Sequence, residues 1–287
     1  MPAPLTSDGY YAPVTSASNT PPQPVAALSA NRRRFATGRA VFALMLREMG
    51  TRYGRSPGGY AWAILEPMGM IVVLSVAFSL LLRSPPLGNS FILFYATGFL
   101  PFFLYQQISL VVSRSIMFSQ ALLQYPAVTW VDAILGRFIL NTLTGLLVII
   151  ILTTAILTLT ETRTIIEIGP IVLSLSLAML LGLGVGTLNC VLIGLFDIWA
   201  QIWSIATRPL LLVSGVIYLY EDMPENVQEV LWWNPLIHLI GIFRTGFYPS
   251  YTPKDISIPY VIFWGVITLF LGTVLLARYH RDILSNR

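Results

Sequence analysis

Five stretches of this 287-residue chain carry no Asp, Glu, Lys or Arg: residues 67–82, 84–113, 138–160, 168–196 and 256–277. A sixth, 198–220, is interrupted only by Arg208. A helix crosses a bilayer with about 20 predominantly apolar residues, so these stretches and their flanks predict membrane spans. Composition agrees: 55% of residues are apolar and 10% are charged, against about 25% charged in an ordinary soluble domain. Mean hydropathy is +0.73. So few charges cannot clothe a soluble globule, and a soluble enzyme is excluded. Helices are predicted near 60–82, 91–113, 132–159, 169–195, 203–220 and 257–278. The third and fourth exceed the bilayer thickness and should tilt or project. Six spans take roughly 120 residues. The remainder is too short for an added nucleotide-binding domain.

Six spans put both termini on one side, and the cations choose the side. With the termini inside, the inner set is Arg32, Arg33, Arg34, Arg39, Arg47, Arg52, Arg55, Arg114, Arg137, Arg208, Arg278, Arg281 and Arg287. The outer set is Arg83, Arg163, Arg244 and Lys254. That imbalance predicts cytoplasmic termini. The outer loops are acidic instead, with Glu161, Glu167, Glu221, Asp222, Glu225, Glu229 and Asp255. The net charge of +4 is therefore a matter of membrane orientation, and no nucleic-acid partner is expected. Residues 1–30 are rich in Pro, Ser, Thr and Ala, lack an apolar signal core, and read as a disordered cytoplasmic tail.

Three segments are more than spans. Residues 39–50, RAVFALMLREMG, are too few to cross a bilayer. At 100° per residue Val41, Phe42, Met45, Leu46 and Met49 share one face, with Arg39, Ala43, Arg47 and Glu48 elsewhere. This predicts an amphipathic helix in the inner interface, though a plain flank of the first span fits the same residues. Residues 114–126, RSIMFSQALLQYP, predict a short inner-face helix stopped by Pro126, able to dock a soluble partner or to serve as an ordinary loop. Residues 221–255 are too short for two full spans and break at Asn234-Pro235. They predict two short re-entrant half-helices, with Trp232, Trp233, Phe243, Phe247, Tyr248 and Tyr251 at the outer interface, though a simple surface loop with interface anchors fits the same residues.

Chemistry is sparse. No G-x-x-x-x-G-K-[ST] loop is present, so ATP is not bound in the P-loop manner. The GLGVG of Gly182, Gly184 and Gly186 lacks the following Lys-Ser/Thr and reads as close helix packing. His238 and His280 have no ligand cluster around them, and the lone Cys190 can form no internal disulfide. Glu66, Asp132, Arg137, Asp197 and Arg208 sit near predicted helix ends, where snorkelling or pairing, such as Asp132 with Arg137, accounts for them. Mid-bilayer charges, which an ion-coupled carrier needs, are missing. An integral-membrane lipid or sugar transferase would want clustered polar groups, and only scattered singles occur.

Residues 44–67, LMLREMGTRYGRSPGGYAWAILEP, resemble the start of ABC-2 type polysaccharide exporter permeases. The pattern L-x-x-R-E-x-x-x-R-[YF] is met by Leu44, Arg47, Glu48, Arg52 and Tyr53. The following G-Y-x-W-x-x-x-E-P is met by Gly59, Tyr60, Trp62, Glu66 and Pro67. Residues 232–251 contain the W-N-P-[LI]-x-H segment at Trp233, Asn234, Pro235, Leu236 and His238. GFLPFF at 98–103 is also similar. The resemblance covers roughly residues 40–280 and is strongest to the capsular polysaccharide branch.

The resemblance implies an all-α, six-helix ABC-2 transmembrane domain over 31–287 that works as a homodimer. Two separate ATP-binding subunits would carry Mg-ATP, leaving this chain without cofactor, metal or catalytic residue. The first amphipathic helix, with Arg39, Phe42, Met45, Arg47, Glu48, Met49, Arg52 and Arg55, would line a lipid-facing gate. The 114–126 helix, with Ser115, Met117, Phe118, Gln120 and Leu123, would be the coupling helix. The cargo would be a lipid-linked, often acidic polysaccharide, handed to periplasmic and outer-membrane export components. A long polymer needs a continuous pore, and aromatic faces stack on sugar rings, so Tyr60, Trp62, Phe102, Phe103 and Tyr105 are candidate lining. Arg47, Arg52 and Arg55 could hold an anionic head group, although orientation alone would place the same arginines. Trp232, Trp233, Asn234, Pro235 and His238 mark the re-entrant loop. O-antigen, teichoic acid or another lipid-linked glycan is the alternative cargo.

Overall fold

The computed structural model describes residues 36–52, 58–124, 128–160 and 165–285, and all the regular elements in them are helical. In chain order these are α1 (Ala36–Arg52), α2 (Gly59–Leu81), α3 (Phe91–Ser113), α4 (Ser115–Leu123), α5 (Trp130–Leu159) and α6 (Ile168–Leu195). There follow α7 (Trp199–Thr207), α8 (Leu210–Val213), a 3-10 turn at Tyr220–Asp222, α9 (Glu225–Trp232), α10 (Pro235–Thr245) and α11 (Ile258–Ser285). The expected tail, residues 1–30, lies outside the described residues.

Five helices are long and apolar enough to cross a membrane: α2, α3 with its continuation α4, α5, α6 and α11. They are apolar on both faces. Helix α2 turns Ile71 and Leu74 inward and Val73, Val76 and Leu80 outward; α11 turns Val261 and Leu276 inward and Phe263, Val266 and Phe270 outward. An uncovered apolar face of this size needs an apolar solvent, which lipid provides.

Helices α3 and α6 form the centre, with α2, α5, α10 and α11 around them. Three glycines of α6 set its spacing from both neighbours. A Cβ on Gly182 or Gly186 would press into Ile108, Ser109 or Val112 of α3, and one on Gly184 would strike the Gly265 carbonyl and Thr268 of α11. Residues 182 and 186 share one helix face and 184 points the other way. The alternating glycines therefore let α6 approach two helices at once, the usual use of small residues between membrane helices.

The bundle has two ends. At one, α1 meets the start of α5 through Glu48 and Arg137, Trp130 stacks near His280 of α11, and Gly194 of α6 touches Ile283. At the other, Arg244 of α10 covers Phe94 of α3, and the Glu167 N–H before α6 bonds to the Gly246 carbonyl. We call these the α1 end and the α10 end.

Two expectations are corrected. The helix predicted over 203–220 is not one helix. The chain forms α7, breaks at Arg208-Pro209, forms the single turn α8, and then runs without regular structure to Tyr220. Pro209 has no N–H to continue the helix, and Gly215 takes a left-handed φ of 74°. The anticipated Asp132–Arg137 pair is also absent. Asp132 accepts from the Thr129 N–H at 2.9 Å and the Thr129 hydroxyl at 2.8 Å, completing a capping box at the start of α5. Five residues apart on a helix, positions 132 and 137 face about 140° away from one another.

Candidate functional site

Helix α1 docks on α5 by a face not foreseen. Val41, Leu44 and Glu48 are buried, while Phe42, Leu46 and Met49 are exposed and Met45 is half-buried. The spacing 41, 44, 48 is one helical stripe. Gly136 of α5 admits it, since a Cβ there would lie 3.3 Å from the Leu44 Cβ. The outward flank of Phe42, Leu46 and Met49 is uncovered.

Glu48 is only 2% exposed. Arg137 Nε donates to both of its carboxylate oxygens at 3.2 Å, and Asn141 Nδ2 donates to Oε1 at 3.4 Å. The Arg137 guanidinium also covers the Phe118 ring of α4, 4.3 Å from its centroid, and Arg47 approaches the same ring at 5.2 Å. One cluster therefore ties α1, α4 and α5 together. A cation over an aromatic face adds about 0.5–2 kcal/mol, depending on desolvation. In α4, Ser115 and Ser119 are buried, Phe118, Gln120 and Leu123 are half-buried, and Met117 is 44% exposed. Arg39 and Arg47 are exposed. Arg52 is the last residue of α1 and its side chain lies outside the described residues, as does Arg55.

A cavity of about 640 Å³ opens between α2, α3 and the α7–α8 segment. Its α3 wall carries Phe99, Phe102, Phe103, Gln106, Leu110 and Ser113. These follow the three-and-four spacing of one helix face. Phe99 stacks 6.3 Å from Phe102 and 6.0 Å from Phe103. Opposite stand Trp203, Ser204 and Thr207 of α7, with Leu210 and Leu211 of α8. Charge is confined to Glu66, Arg114 and Arg208, all exposed. Arg208 keeps helical dihedrals and extends the α7 stripe of Ala200, Trp203, Ser204 and Thr207 along this wall.

Of the anticipated lining, Phe102, Phe103 and Tyr105 reach the cavity. Trp62 is not among the cavity residues and is 69% exposed. The Tyr60 side chain lies outside the described residues. Phe99, Gln106 and Trp203 were missed. The α3 stripe was legible from its spacing; Trp203 was not, because it depends on how α7 turns.

At the α10 end, α9 and α10 are short helices that meet at Trp233-Asn234. Asn234 caps α10 by accepting from the Leu236 N–H at 3.1 Å, and Pro235 takes the first helical position, where no N–H is needed. Trp232, His238 and Tyr260 form an aromatic knot with centroid separations of 4.9–5.4 Å. His238 is buried and tied at both nitrogens: Nδ1 faces the Ser257 N–H at 3.4 Å and Nε2 faces the Trp232 carbonyl at 2.9 Å. That network assigns the proton to Nε2. Burial holds the His238 pKa below its ordinary value. Tyr251 donates to Glu221 at 3.0 Å; burial and that carboxylate push its pKa up. Phe243, Phe247 and Tyr248 are buried in the core, not set at an interface as expected; Trp233, 68% exposed, does stand outside. Arg244 is likewise buried and not a loop cation. Among the described residues no group of His, Cys, Asp or Glu is arranged to hold a metal ion.

The family model for the ABC-2 type transporter matches residues 39–248. The chain belongs to this family. Its relatives include the polysialic acid transport protein KpsM of Escherichia coli, 32% identical over 246 residues, 86% of this chain and 95% of that one. The capsule polysaccharide export inner-membrane protein BexB of Haemophilus influenzae is 26% identical over 247 residues, 86% of this chain and 93% of that one. The corresponding CtrC of Neisseria meningitidis serogroup B is 23% identical over 245 residues, 85% of this chain and 92% of that one. The ABC-2 match spans the α1–α4–α5 cluster, the cavity and α9–α10 alike.

Proposed function

We propose that this chain is the membrane permease of an ATP-driven exporter that carries a lipid-linked capsular polysaccharide across a bacterial inner membrane. The observation that carries the reading is the aromatic and hydroxyl-lined cavity along α3, in a chain whose relatives bear the names of capsule export proteins. Aromatic faces stack on sugar rings with little residue-by-residue specificity, and Gln106, Ser109, Ser113 and Ser204 offer hydrogen bonds to hydroxyls. Arg114 and Arg208 suit an acidic polymer at the α1 end.

In this reading the segment 199–220 is the sixth crossing, made by a broken helix and an extended run, and both termini are cytoplasmic. The cation count supports that orientation. Helices α9 and α10 dip into the outer leaflet as a re-entrant pair, the break satisfied by Asn234, which caps α10 and bonds to Ser214. Two copies pair, and each binds a separate ATP-binding subunit that carries Mg-ATP. Helix α4 is the coupling helix and α1 the lipid-facing gate. The chain catalyses nothing itself; periplasmic and outer-membrane components take the polymer onward.

Deletion of the gene should leave polymer in the cytoplasm, and restoration of the chain should return it to the cell surface. Normal surface capsule in the deletion strain overturns the reading. A P-loop protein should co-purify in roughly equal amount. Loss of O-antigen or teichoic acid with capsule intact would move the cargo, not the mechanism.

A further inference from the structure

Arg244 is 2% exposed. Its guanidinium lies over the Phe94 ring, 4.4 Å from the centroid. Nη1 donates to the Tyr218 carbonyl at 3.0 Å and Nη2 to the Val216 carbonyl at 3.1 Å, while Nε has no partner. Both acceptors belong to residues 214–219, which form no regular structure. Backbone of this kind lacks helical partners, and buried carbonyls left bare are costly, so a donor from elsewhere is needed. Arg244 supplies two.

The place of this strap matters. The cavity lining ends at Phe99 on α3 and at Leu211 on α8. One residue beyond Phe99 is Gly98, where a Cβ would lie 2.7 Å from the Val216 carbonyl oxygen and 3.0 Å from Arg244 Nη2. The strap thus lies against α3 immediately past the last cavity residue. Helices α7 and α8, which lead to it, bury no residue. The strap itself buries Val216 and Leu219 in the core, and polar bonds add to that hold. Asn234 Nδ2 reaches Ser214 Oγ at 3.1 Å, and the Tyr220 hydroxyl donates to the Gln228 carbonyl at 3.2 Å.

We propose that residues 214–219 are an outer gate closing the cavity at the α10 end, and that Arg244 is its latch. The proposal rests on the cavity being the conduit. Opening trades the two guanidinium bonds for others: the freed Val216 and Tyr218 carbonyls accept from hydroxyls of the passing glycan. Arg244 is a positioning residue, acting on the path through the strap.

The test uses the full chain with its ATPase in cells, in a Cys190→Ser background that removes the one native cysteine. Ser214→Cys with Asn234→Cys ties the strap to the start of α10. Oxidative cross-linking should cut export at least tenfold, and reduction should restore it. In parallel, Arg244→Met should raise small-solute permeability of the inner membrane several-fold without ATP hydrolysis, while Arg244→Lys stays tight. Complete cross-linking with undiminished export overturns the latch, as does an inserted Arg244→Met chain that leaks no more than wild type. If Arg244→Met fails to insert, the cross-link decides; if the reduced double-cysteine chain does not export, the leak decides. Failure of the conduit reading is distinct: the unmodified chain itself would move no glycan.

Discussion

The Glu48 carboxylate and the Arg137 guanidinium meet at 3.2 Å across 89 residues of sequence. Glu48 faces inward from an otherwise amphipathic helix, and Arg137 finds it only because Gly136 lets α1 lie close. Breaking a buried pair from one side leaves a stranded charge, a loss of about 3–5 kcal/mol. Glu48→Gln or Arg137→Met should lower the thermal midpoint of the detergent-purified chain by several degrees. The exchange Glu48→Arg with Arg137→Glu should recover part of it. Equal midpoints for both single variants and wild type would count against the pair.

Met117 and Phe118 are neighbours with different tasks. Met117 stands exposed, while Phe118 lies beneath two guanidinium groups. Met117→Asp should leave the chain folded and abolish stimulation of the partner ATPase. Phe118→Ala should lower stability as well. The check is a melting curve beside an ATPase assay of the reconstituted complex.

The cavity predicts a contrast among aromatics. Phe103→Ala and Trp203→Ala remove cavity wall and should each reduce export several-fold at unchanged insertion. Trp62→Ala, outside the cavity, should not. Ser204→Trp fills the space and should block export. Pulse-labelled polymer in cytoplasmic and surface fractions reports the result.

Glycines of α6 differ sharply in what they permit. Gly184→Ala drives a methyl into the Gly265 carbonyl and Thr268, whereas Gly169 has nothing within 4 Å. Overpacking of this kind costs about 1–3 kcal/mol. Gly184→Ala should therefore cut the yield of folded chain, and Gly169→Ala should not, judged by fluorescence-detected size exclusion.

His238 gives a pH dependence with a defined sign. Burial lowers its folded-state pKa, outweighing the bond to the Trp232 carbonyl. The neutral form is favoured in the fold. Its contribution is thus complete above the unfolded value of about 6.5 and is lost as pH falls from there through the lowered pKa. The melting temperature should drop on acidification below about pH 6.5. His238→Gln should lower it at pH 8 and flatten the acid slope; an unchanged slope would show that another group titrates.

Much of this molecule was legible in its residues. The charge-free runs located α2, α3, α5, α6 and α11, because lipid rewards uninterrupted apolar helices and little else. Asn234-Pro235 marked the α9–α10 junction, and Thr129 with Asp132 carried a capping box that could have been read at once. The alternating glycines of α6 announced close packing. Such signals are local: a span, a cap and a turn each depend on neighbours in sequence.

What only the tertiary structure decided was which side chains meet. Arg208-Pro209 breaks a run that hydropathy treats as continuous, since hydropathy does not weigh a missing N–H. Arg244, counted as a loop cation, is buried because two irregular carbonyls need its donors. Glu48 and Arg137 were each visible as charges, but their pairing required α1 to fold back on α5. Sequence fixes the solvent each segment tolerates; the close approach of segments fixes the partner each polar group finds.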